Sequence, residues 1–131
     1  MEITQIHHVV LRVQDLEQAM SDFKDKLGIE LTMNPVAGRG AQGASLHLSN
    51  GQFFELIQPV GEEGKPIAQA LEKRGEGVHL ISLATADPKK ARAEMHAKGV
   101  RTLDDPNKTD GSFLVHPADA HGLLLSIYLD A

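Results

Sequence analysis

The chain reads as an α+β protein built from two copies of one strand–helix–strands module within a single domain. Three observations predict this: an internal repeat at a shift of 72 residues, helix starts and stops at matching places in both copies, and paired strand-like runs after each helix. At 131 residues the chain can bury roughly two-thirds of its unfolded surface without disulfides or a structural metal.

The repeat sets IHHVVLRVQDLEQAM (6–20) over VHLISLATADPKKAR (78–92), matching His7 with His79, Leu11 with Leu83, Asp15 with Asp87 and Ala19 with Ala91. It implies modules of about 4–60 and 76–131. Each begins with a strand, whose alternation sends His7 and His8 to opposite faces. Asp15 then stands where a helix N-cap is wanted. Leu16, Ala19, Met20, Phe23 and Leu27 recur at helical spacing as one apolar face, and Gly28 supplies the stop. GRGAQG (38–43) reads as a flexible loop, and Asn50-Gly51 as the turn of a hairpin inside ASLHLSNGQFFELIQP. KPIAQALEKRG (65–75) reads as a linking helix that begins at Pro66 and stops at Gly75. In the second copy Asp87-Pro88 opens the helix, Gly99 ends it, and GSFLVHPADAHGLLLSIYL gives two strands joined by a longer loop.

Composition narrows the function. A formal net charge of −5, one Tyr and no Trp argue against nucleic-acid binding. No apolar run approaches the roughly 20 residues that span a bilayer, and the N-terminus lacks a basic-then-apolar signal, so a soluble, cytoplasmic protein without membrane partners is expected. With no cysteine, any metal must take nitrogen and oxygen ligands, which draws attention to the seven histidines.

The run FELIQPVGEEGKPIAQALEKRGEGVHLISL resembles the ELLEPLG…PIAKFLEKRGEGIHHIAF of methylmalonyl-CoA epimerases, and HPADAHGLLLSIYL is similar to their HPK…GVLIEL. Over nearly its whole length the chain resembles the vicinal oxygen chelate superfamily, the glyoxalase/bleomycin-resistance fold. The resemblance implies two βαβββ modules forming a cupped, mixed or antiparallel sheet around a pocket, a homodimer, and a small-molecule ligand such as an acyl-CoA. It also implies a divalent ion (Zn, Co, Mn or Ni) that chelates two substrate oxygens while a carboxylate moves a proton. The first two ligand positions of the family fall on His8 and Glu55, but the third and fourth fall on Leu80 and Ser126. The family's proton-transfer glutamate falls on Leu46, which a two-residue Asn50-Gly51 turn would set directly opposite Glu55.

Three functional readings follow: an isomerase that shifts a proton alpha to the carbonyl of a small acyl thioester, a metal-free binding protein of the drug-resistance type, and a metal-free lyase or isomerase that uses His8 and Glu55 as an acid/base pair. In FFELI, alternation puts Glu55 with Phe53 and Ile57 on one side and Phe54 with Leu56 on the other, both apolar, so the charge needs a partner. His8 is the expected one, and such a pair would raise the pKa of the histidine. The plainer readings are a satisfied polar group at a strand start for His8 and an exposed strand carboxylate for Glu55. Leu46, Leu80, His116 and Ser126 are the expected pocket residues. His7, His47 and His79 read as structural and His96 as solvated, and Lys73, Arg74, Arg101 and Lys108 read as a solvated basic surface that could meet a CoA phosphate.

Overall fold

In the computed structural model, which describes residues 1–38, 40–105 and 108–130, both repeat helices open on the expected aspartates. The Gln18 amide donates to Asp15 and the Lys90 amide to Asp87, each at 3.1 Å. A cap of this kind is worth about 1 kcal/mol. They start α1 (Leu16–Leu27) and α3 (Pro88–Ala97). Gly28, left-handed at φ 69°, closes α1 by returning its amide to the Lys24 carbonyl. The linking helix α2 (Lys65–Arg74) starts one residue ahead of Pro66 and stops at Gly75.

Eight strands accompany these three α-helices among the described residues: β1 (Gln5–Arg12), β2 (Thr32–Met33), β3 (Ala41–His47), β4 (Phe53–Pro59), β5 (Gly77–Thr85), β6 (Thr102–Asp104), β7 (Phe113–Val115) and β8 (Leu125–Leu129). β2–β3, β3–β4, β6–β7 and β7–β8 pair antiparallel and β5–β8 parallel, which makes the sheet mixed and the fold α+β. No helix among the described residues is long and apolar enough to cross a membrane. Contacts group the chain into two compact units, Val10–His79 and Met1–Val9 with Leu80–Ala131. Their limits differ from the repeat limits of about 4–60 and 76–131, because the first residues of β1 pack with the second repeat. Thr4 shows the tie: its amide donates to the Ala84 carbonyl at 2.9 Å and its hydroxyl bonds the Asp130 carboxylate.

In the unit Val10–His79, Leu16, Val13, Leu31, Ala44 and Leu56 are buried together, with Met20, Phe23, Ile29, Leu46 and Phe54 packed around them. Each large side chain of this set stabilises the fold by roughly 1.5–3 kcal/mol. Three expectations change. Leu27 is 62% exposed, because Gly28 turns the chain and Ile29 fills the apolar face instead. Ala41–Gly43 are strand residues, paired with Ile57–Pro59, so the second half of the segment 38–43 belongs to β3; Arg39 lies outside the described residues. Finally, the hairpin turn has three residues. The Leu48 amide donates to the Gln52 carbonyl, Gly51 has φ 89°, and the Asn50 side chain accepts from the Gln52 amide. That is the arrangement of a turn closed by a left-handed glycine, and it shifts the register by one: Ser45, not Leu46, lies opposite Glu55.

Arg12 is 6% exposed, and its guanidinium donates to the Gly75 carbonyl at 2.9 Å and the Val78 carbonyl at 2.7 Å. It thereby fastens the end of α2 to the start of β5. In the other unit Phe113, Val115, Ile127 and Ala91 form the core, with Leu83, Met95 and Val100 packed on it. Alternation along β8 then turns Ser126 and Tyr128 away from the α3 side that Ile127 occupies.

Hydrogen bonds from a charged donor are worth about 1.5–3 kcal/mol each, so Arg12→Met, which keeps the stem and removes both, is expected to lower the unfolding free energy by about 3 kcal/mol. The check is urea unfolding of the variant against wild type. An unchanged midpoint would show that Arg12 does not anchor this junction.

Candidate functional site

Glu55 sits at the centre of β4, half-buried, on the opposite side from Leu56, which is fully buried in the α1 core. Its Oε2 accepts from Asn34 Nδ2 at 2.9 Å. Ser45 Oγ stands 3.2 Å from both Glu55 Oε2 and Asn34 Oδ1, and its one proton serves one of them at a time. Gly43, next but one to Ser45 on β3, makes the arrangement possible: a Cβ there would stand 2.7 Å from Asn34 Nδ2 and 2.9 Å from Glu55 Oε2. Neutral donors thus hold Oε2 of this carboxylate. Leu46, the expected base position, packs against the α1 core on the other face of β3, as the one-residue register shift requires.

His8 lies in the unit Met1–Val9 with Leu80–Ala131, and its surroundings there are aromatic and cationic. Its Nδ1 is 2.8 Å from Nδ1 of His7, one ring donating to the other. His7 stacks on Tyr128 with centroids 4.2 Å apart, and His8 meets the same ring edge-on at 5.6 Å. The two histidines were expected to serve opposite faces. The shared tyrosine and their mutual hydrogen bond bring them to one cluster instead. Lys108 completes it, with Nζ 3.0 Å from the Tyr128 hydroxyl and 4.4 Å from the ring centroid. Burial, then His7, then Lys108 push the His8 pKa down to about 4, the reverse of the rise expected from a carboxylate partner. His7 is lowered too, by burial first and Lys108 second, against an opposing pull from Asp130. Both shifts favour the neutral imidazole.

The other expected pocket residues divide. Leu80 is half-buried on β5. Ser126 is buried and in register with Ser82, whose hydroxyl it meets at 3.2 Å. His116 uses Nδ1 to accept from the Ala118 amide, capping a short 3-10 turn at Pro117–Asp119. Arg101 is exposed, as expected of a solvated surface cation, and is held by Asp119 through two side-chain bonds.

These residues do not fit a chelated divalent ion. Leu80 has no donor atom, the Ser126 hydroxyl is buried against another hydroxyl, and no group of three or more His, Asp or Glu able to hold a metal occurs among the described residues. Catalytic zinc takes three protein ligands.

His79, the repeat partner of His7, is half-buried with Nδ1 lacking a hydrogen bond among the described residues. Burial, then Arg12 and Arg74, lower its pKa to about 4.

A family model described as a glyoxalase-like domain matches residues 6–124. The ethylmalonyl-CoA/methylmalonyl-CoA epimerase of Cereibacter sphaeroides is 31% identical, with 95% of this chain and 97% of that protein covered. A variant of the Streptomyces coelicolor methylmalonyl-CoA epimerase, in complex with 2-nitronate-propionyl-CoA, superimposes with a TM-score of 0.78 at 30% identity, covering 99% of this chain and 100% of that one. A methylmalonyl-CoA epimerase in complex with methylmalonyl-CoA and NH4+ superimposes with a TM-score of 0.79 at 29% identity, covering 99% and 96%.

The depressed histidines make stability depend on pH. An unfolded histidine takes its proton near pH 6.5, whereas native His8 and His79 refuse it until about pH 4. Acidification from about 6.5 to about 4 therefore favours the unfolded chain, and the stability present above that window is lost within it. Urea midpoints measured at pH 7.5 and 4.5 should fall for wild type and fall less for His79→Gln. Equal falls in both proteins would remove His79 from the account.

Proposed function

The chain belongs to the glyoxalase-like domain family, and from that premise we propose that it is an isomerase moving a proton alpha to the carbonyl of a small acyl thioester, with methylmalonyl-CoA as the first substrate to test. Near full-length likeness to proteins named methylmalonyl-CoA epimerase supports the reaction class, and relatives held with acyl-CoA ligands support the thioester. The reading includes a homodimer and a cytoplasmic location.

One observation carries the chemistry: Asn34 and Ser45 both engage Oε2 of Glu55, which leaves Oε1 to take a proton. In the proposed step the Glu55 carboxylate removes the α-proton and the C–H electron pair moves onto the thioester carbonyl oxygen as an enolate. A proton from solvent reaches the opposite face of the α-carbon, which gives the epimer and restores the thioester carbonyl, and Glu55 releases its own proton to solvent to regenerate the carboxylate. A positioned general base contributes about 10²–10⁴-fold. No step is routed through a divalent ion, since the donor set does not fit one.

The test is solvent deuterium incorporation at the α-carbon of methylmalonyl-CoA, followed by mass spectrometry in the presence of EDTA. Wild type should exceed the uncatalysed rate, and Glu55→Gln should fall by on the order of 10²-fold. No incorporation above background with wild type would sink the epimerase reading in favour of a binding protein. Full incorporation in Glu55→Gln would clear Glu55 of the role of base.

A further inference from the structure

The cluster around Tyr128 contains an unusual cation. Lys108 is half-buried, and no ion pair involves it among the described residues. Its ammonium meets a neutral side chain, the Tyr128 hydroxyl at 3.0 Å and the Tyr128 ring centroid at 4.4 Å. An aromatic face lends a cation some stabilisation, but a partly desolvated charge still calls for an anion. The carboxylates that act on the cluster through space are Asp110, lowered in part by Lys108, and Asp130, which acts on His7 and is itself bonded by Thr4. Asp110 is occupied in turning the chain, since it accepts from the Ser112 amide at 3.0 Å.

Apart from the through-space influence of Asp110 and Asp130, the groups around Lys108 are neutral donors and acceptors. Tyr128 presents its hydroxyl, and the His7–His8 pair shares one hydrogen bond at 2.8 Å. Ser126 lies two residues from Tyr128 and, by strand alternation, on the same side of β8. An ammonium fixed by an aromatic ring among neutral hydrogen-bonding groups is suited to receive a small anionic oxygen group, and hydrogen bonds of that kind are charge-assisted.

We infer that Lys108, seated on Tyr128 beside His8, receives the carboxylate of the ligand, and that the chain holds this anion without a divalent ion. The inference takes the ligand class, an acyl thioester bearing a free carboxylate, from the function proposed above. The mismatch of Leu80 and Ser126 with metal ligation and the lack of an ion pair at Lys108 among the described residues point the same way. A carboxylate and a CoA phosphate share the chemistry Lys108 would recognise, so the test must separate them.

Isothermal titration of EDTA-treated protein with methylmalonyl-CoA, with propionyl-CoA, which keeps the phosphates and lacks the carboxylate, and with free methylmalonate makes the separation. Lys108→Met should weaken methylmalonyl-CoA by at least about tenfold, the scale of one charge-assisted hydrogen bond, and leave propionyl-CoA unchanged. Lys108→Arg should retain most of the affinity, and circular dichroism should show both variants folded. Equal weakening of the two thioesters would assign Lys108 to the phosphates and overturn the inference. So would undiminished affinity in Lys108→Met, or binding by wild type that appears only after zinc, cobalt or manganese is added. If wild type binds methylmalonate through Lys108 but neither thioester, the acyl-CoA reading fails and the carboxylate site stands. Failure of wild type to bind any of the three ends both.

Discussion

Strand alternation under a covering helix governs both units of this protein. A side chain that packs beneath α1 or α3 forces its sequence neighbours to the opposite side of the strand. Burial of Ala44, Leu46, Phe54 and Leu56 beneath α1 thus sends Gly43, Ser45 and Glu55 the other way. Burial of Leu125 and Ile127 on the α3 side does the same for Ser126 and Tyr128. Chemistry in each unit is placed as a by-product of core packing. A change in either apolar set is therefore felt on the polar side.

The two polar faces are provided for differently. Glu55 is an anion among neutral donors, with Asn34 reaching it from the loop after β2. Lys108 is a cation on an aromatic ring, with two neutral histidines beside it. Neither arrangement is a salt bridge, and neither matches the four-donor chelate that the fold family implies. What the chain keeps of that chelate, His8 and Glu55, has been taken into other hydrogen-bond networks. A family likeness across nearly the whole chain can thus coexist with a changed way of holding charge.

Much of the fold was legible because its signals are local. Asp15, Asp87 and Gly28 act within one turn of the residues they serve, and the FFELI run declares its own two faces. The site was less legible because its decisive contacts are not local. SNGQ is compatible with a two- or a three-residue turn, and the choice depends on Asn50 bonding the Gln52 amide. From that one step came the misplacement of Leu46 and the oversight of Ser45. Asn34 and Glu55 are 21 residues apart, and Lys108 and Tyr128 are 20 apart, with no periodicity to link either pair. Lys108 looked like one more surface lysine, and His7 and His8 looked separated, because the tyrosine that gathers them lies at the far end of the chain.

The three-residue turn also bears on how such a protein can diverge. Closing the hairpin through a two-residue Asn50-Gly51 turn, at unchanged chain length, would slide β3 by a single position against β4 and bring Leu46 in place of Ser45 opposite Glu55. The same slip would push Ser45 and Gly43 toward the α1 core and expose Ala44. The choice of turn at that tip is consequently all-or-none, because it exchanges one face of β3 for the other. New ligand preferences on the Glu55 side can then arise gradually by substitution at position 45, while the turn keeps its three residues and position 43 stays glycine.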